Sequence, residues 1–72
     1  MDYFILRNEK TGEIIKLGRF GDELLQESFR NGEWIWDEVL DRQLFDGLLE
    51  EIPEAKAKEI IAFQMEREKI AA

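Results

Sequence analysis

A chain of 72 residues can build one domain around one apolar core, near the lower size limit for folding without disulfides or metal. Its 44% apolar content separates it from disordered sequences, while the lack of cysteine and histidine removes disulfides, thiolate nucleophiles, the commonest general base and the usual transition-metal ligands. The net charge of −7 is uneven: residues 22–54 hold eleven acids against Arg30 and Arg42 alone, which disfavours direct nucleic-acid binding or attachment to an anionic membrane and favours a basic protein surface.

The first element is a hairpin. The β-favouring runs DYFILR and EIIKL flank the turn formers NEKTG, and Gly12 suits the left-handed residue closing a four-residue loop that pairs Asn8 with Glu13. Regular alternation from that pair sets Leu6 opposite Ile15 and Phe4 opposite Leu17 on one face, and leaves Tyr3, Ile5, Arg7, Ile14 and Lys16 on the other. The N-terminal run carries an acid where a signal peptide wants basic residues and stops at Leu6. Nothing approaches the roughly 20 apolar residues of a membrane span, so a cytoplasmic protein is expected.

Residues 20–36 support two readings. Phe20, Leu24, Leu25 and Phe29 recur as on one helix face, with Asp22 as N-cap. Alternatively Asn31-Gly32 closes a second hairpin that pairs LQESFR with EWIW. Extended structure is favoured, because Trp34 and Trp36 then point to one side. A helix over about 37–46 follows, with Asp37 as N-cap, Val39, Leu40, Leu44 and Leu48 as its buried stripe, and Gly47 ending it. Pro53 at a first turn, with Glu51 and Glu54 near it, opens a last helix over about 53–70, whose stripe of Ala57, Ile60, Ile61 and Met65 should face the sheet. The order predicts a single α+β domain over residues 1–72: an N-terminal antiparallel hairpin, extended to three or four strands in the second reading, packed against two C-terminal helices on one face.

No pattern of residues carries catalytic, cofactor or metal chemistry. Ser28 has no Gly-x-Ser-x-Gly turn and reads as a surface position; Gly18 and Gly21 lack the spacing of a phosphate loop. Aligning Gly47 with the glycine of an EF-hand loop puts Arg42 and Pro53 where an acid and a glutamate are needed. No cofactor is expected.

Two interaction surfaces are expected instead. Trp34 reads as core, whereas Trp36 beside Glu33, Glu38 and Asp41 combines an aromatic anchor with charge, as an interface to a basic protein partner would. On the last helix Phe63, Arg67 and Ile70 lie off the core stripe, as expected of a face that meets a second copy. The sequence therefore predicts a non-catalytic acidic module, an inhibitor or adaptor docking a basic protein through residues 22–54. The rival expectation is a structural subunit that forms a homodimer through its last helix, with the acids serving only solubility.

Overall fold

The computed structural model describes residues 1–71, and the side chains of residues 1–67. Five strands, β1 (Asp2–Arg7), β2 (Ile14–Phe20), β3 (Gln26–Arg30), β4 (Glu33–Trp36) and β5 (Leu49–Ile52), form one sheet in the order β4-β3-β2-β1-β5, antiparallel at every pairing. Helix α1 (Leu40–Phe45) lies between β4 and β5 in the chain, and α2 (Glu54–Ala71) ends it. The fold is α+β, with more strands than the sequence suggested.

The first hairpin closes as expected, with the Asn8 N–H donating to the Glu13 carbonyl at 2.8 Å. Arg7 then faces Ile14, but Leu6 faces Lys16, so Ile15 is an extra residue and the register slips by one. The bulge sets Ile5 against Leu17 and Phe4 against Gly18, in place of the regular pairs Leu6–Ile15 and Phe4–Leu17. Leu17 thereby joins Ile5 on the face that becomes the main core.

Residues 20–36 are extended. Asp22 caps no helix; its carbonyl accepts the Leu25 N–H at 3.2 Å in a tight turn whose central residues, Glu23 and Leu24, have φ of 54° and 65°. Asn31 and Gly32, at φ 51° and 82°, form the mirror-image turn that a two-residue hairpin loop requires, and Gly32 takes this conformation without a Cβ clash.

The two helices occupy opposite faces of the sheet rather than one. Ala57 and Ile60 of α2 pack with Ile5, Leu17, Phe29 and Ile52, flanked by Tyr3, Ile14, Trp34 and Ile61. Gln64, half-buried, takes the place expected for Met65, which is exposed. On the other face Leu40 of α1 is buried against Gly18, where an added Cβ would stand 2.8 Å from Leu40 Cδ1. Only a glycine allows that approach.

Helix α1 is also shorter than expected, six residues, and Leu40 is its one buried residue. Val39 and Leu48 fall outside it, and they and Leu44 are exposed, so the expected apolar stripe does not form. Strand β5 replaces the expected approach to the last helix. It adds to β1 through the pairs Tyr3–Ile52 and Leu6–Leu49.

Candidate functional site

The junction between β4 and α1 is held by a largely buried polar cluster. The Asp37 carboxylate meets Lys16 Nζ at 2.7 Å and accepts the Val39 N–H at 3.0 Å. Gln26 Nε2 donates to the Asp37 carbonyl at 2.7 Å, and Lys16 Nζ donates also to Gln43 Oε1 at 2.9 Å. Asp37 is therefore not the N-cap of α1, a position held by Val39, but shapes the turn before it. Burial alone would push the Asp37 carboxyl upward. The Lys16 hydrogen bond, the Val39 N–H, the Lys16 charge and the Ser28 hydroxyl together outweigh it and hold the group below the usual carboxylate range. Ser28, expected on the surface, is 1% exposed beneath this cluster and is not presented to a substrate.

The registers bring together segments that are distant in sequence. Asp2 pairs with Phe20 and Phe20 with Gln26, while the Asp37 N–H donates to the Gln26 carbonyl at 3.1 Å. The start of β1, the β2–β3 turn and the residues after β4 therefore share one end of the sheet. Exposed there are Asp2, Asp22, Glu23 and Glu38, together with the apolar side chains of Met1, Leu24, Trp36 and Val39. Leu24 is 86% and Trp36 58% exposed, which is more apolar surface than a folded monomer gains from leaving in water. Among the described residues none of these four acids has a basic partner within salt-bridge distance. The nearest guanidinium by register, that of Arg19, is held by Glu27 through bonds of 2.6 and 2.9 Å and lies 4.1 Å over the Trp34 ring. Its charge is already paired.

Of the residues expected to meet a partner, Trp36 and Glu38 lie at this acidic end. Asp41 sits on α1, with Oδ1 3.4 Å from Gln26 Nε2, at the margin of the same end. Glu33 does not join them. It stands beside the β3–β4 turn at the other end of its strand, and by strand alternation on the opposite face from Trp36. Trp34 packs edge-on to Phe29 at 5.3 Å and near Tyr3 at 6.2 Å, as part of the sheet's core face.

Sequence reasoning missed Leu24 and Phe45. Leu24 was legible only once the β2–β3 hairpin was known, whereas Phe45, 91% exposed and one helical turn from Asp41, could have been found from its position opposite Leu40 on a short helix.

At the hairpin end, Phe63 is 61% exposed on α2 with the Arg67 guanidinium 5.9 Å over its ring. Both line an open groove of about 670 Å³ with Arg7, Glu13, Lys56 and Glu59. The Ile70 side chain lies outside the described residues.

No group of three or more acidic side chains among the described residues is placed to hold a metal ion, and no helix among them is long and apolar enough to cross a membrane. Compared with known protein families, characterised proteins and solved structures, the chain matches none.

Proposed function

We propose that this chain is a non-catalytic protein-binding module of the cytoplasm, and that its acidic end docks a basic surface of a partner protein. One observation carries this reading: the sheet register brings Leu24, Trp36 and Val39, exposed, to the same end of the sheet as acids that have no ion pair among the described residues. Apolar side chains supply the contact that resists dissociation, and unpaired like charges around them accelerate encounter with an opposite surface. Acids serving only a charge-balanced surface would be interleaved with lysine and arginine.

The test is affinity capture from the native cell on immobilised protein at two salt concentrations. A basic protein should be retained at low ionic strength and released at high, and Asp22→Lys with Glu38→Lys should abolish its retention while leaving the fold intact. Retention that is indifferent to both salt and charge reversal would overturn the reading.

A second reading is favoured by Phe63: self-association through α2, in which Phe63 and Arg67 meet a second copy. Phe63→Asp then shifts sedimentation from dimer to monomer without loss of helical signal, because a charge in that position is desolvated only within an interface. A wild-type monomer at high concentration removes this reading.

A further inference from the structure

Strand β4 is an open edge, and the turn before it determines which of its backbone groups point outward. In a two-residue hairpin loop the flanking residues, here Arg30 and Glu33, form a hydrogen-bonded pair, and such pairs then alternate with non-bonded ones along the ladder. Ser28–Ile35 is therefore a bonded pair, whereas Phe29–Trp34 and Glu27–Trp36 are not. The bond from the Asp37 N–H to the Gln26 carbonyl, 3.1 Å, continues the same alternation. The N–H and C=O of Trp34 and of Trp36 accordingly face away from the sheet. Among the described residues no side chain or backbone group outside the ladder pairs with any of them.

Edges of this kind are normally blunted by shortness, by charged side chains, above all lysine, by proline or by a bulge within the strand. The strand Glu-Trp-Ile-Trp is short, but it contains no lysine, proline or bulge, its one charge, Glu33, stands at the turn end, and the aromatic and β-branched side chains favour further pairing. The other edge differs. Strand β5 carries Glu50 and Glu51 and runs directly into Pro53 and α2.

We infer that β4 accepts an extended, basic segment of a partner protein as a sixth strand. Two outward residues spaced by one offer a matching segment roughly four backbone hydrogen bonds. Its side chains opposite Trp34 and Trp36 stand on the α2 side of the sheet. Arg19 already covers the Trp34 ring at 4.1 Å, so a cation there would be repelled; a lysine or arginine fits opposite Trp36, beside the acidic end. A second copy of β4 is the poorer occupant. Two-fold antiparallel pairing would bring Glu33 of one copy towards Trp36 and Glu38 of the other, like charge towards like, between chains of net charge −7.

This inference rests on the proposed docking of a basic partner at the acidic end, and adds the manner of docking. The probe is a short peptide, blocked at both ends, of valine and threonine with a single lysine at the position that pairs opposite Trp36, added to the full chain while amide exchange and chemical shifts are followed by NMR. Exchange at the Trp34 and Trp36 amides should slow at least about tenfold, with that of Ile35, already paired, unchanged. Methylating the peptide nitrogens that face β4 should remove the protection, methylating the alternate ones should not, and replacing lysine by glutamate should weaken binding by at least about tenfold.

Binding that shifts Glu38 and Val39 but leaves both tryptophan amides exchanging freely would overturn strand addition and leave the acidic docking surface standing. Failure of the lysine peptide to bind at all overturns both. Equal protection by the glutamate peptide overturns the basic partner. Protection in concentrated protein alone, accompanied by dimer sedimentation, assigns the edge to a second copy and also overturns the inference.

Discussion

Lys16 and Asp37 meet at 2.7 Å between two strands and a helix, each with little exposure, so neither tolerates losing the other. Asp37→Ala leaves an ammonium without its partner, and should cost about 3 kcal/mol in denaturant unfolding. The pH dependence has a definite sign. The Asp37 carboxyl is held low in the folded state, so the unfolded chain binds the extra proton; the stabilisation is complete above the ordinary carboxylate value and is lost as pH falls through the folded one. Thermal melts of the wild type should therefore weaken below about pH 4, and Asp37→Asn should flatten this limb. Gly18 shows the packing counterpart. Gly18→Ala drives a methyl to within 3 Å of the buried Leu40 side chain and should destabilise by about 1–3 kcal/mol. With Leu40→Val in the same chain the penalty should shrink, a coupling that a double-mutant cycle measures directly.

The β2–β3 turn is the element whose sequence agrees least with its shape. Glu23 and Leu24 both occupy the left-handed region, where asparagine and glycine are at ease and leucine is not. Glu23→Asn with Leu24→Gly should raise stability by about 1 kcal/mol in equilibrium unfolding. The same change should weaken partner capture, since it removes the most exposed apolar side chain of the acidic end. This disagreement also explains why the hairpin was hard to read: its two central positions, after Gly21 and Asp22, carry no turn formers, and Leu24, Leu25 and Phe29 carry a helical spacing that tertiary pairing overrides. Asn31-Gly32 was legible because its chemistry and its turn agree. Strand β5 was hidden for another reason. Leu49 and Ile52 face opposite sides of the sheet, so LEEI has no alternation to detect, and its acids beside Pro53 imitate a helix start. At the candidate site, Trp36 and Glu38 were visible as neighbours in sequence. Asp2, Asp22 and Glu23 join them only through pairings that local pattern does not encode, and the regular count across the bulge at Ile15 assigns Leu17 to the wrong face.

Across the whole molecule, charge is sorted by end as well as by sum. Arg7, Lys10 and Arg30 lie with Glu9, Glu13 and Glu33 around the hairpin loops, whereas Asp2, Asp22, Glu23 and Glu38 lie at the far end, with no ion pair among the described residues. Their mutual repulsion opposes folding in the free protein. The melting temperature should rise between low and moderate salt, and Glu38→Lys alone should raise it at low salt while abolishing most of that salt response. The strand order has a further consequence, in time rather than space. Strands β1 to β4 form a meander of neighbours and can pair as soon as residue 36 is free of the ribosome, but the outer side of β1 waits for Leu49–Ile52. At roughly 5–20 residues per second, the nascent chain passes through an interval with two open sheet edges, one at β4 and one at β1. Only the second is closed by the chain itself, when β5 arrives and α2 follows it onto the face of Ile5 and Leu17. A ribosome-stalled chain ending before Leu49 should thus expose β1 to intermolecular pairing, and a chain extended through β5 and α2 should end that exposure.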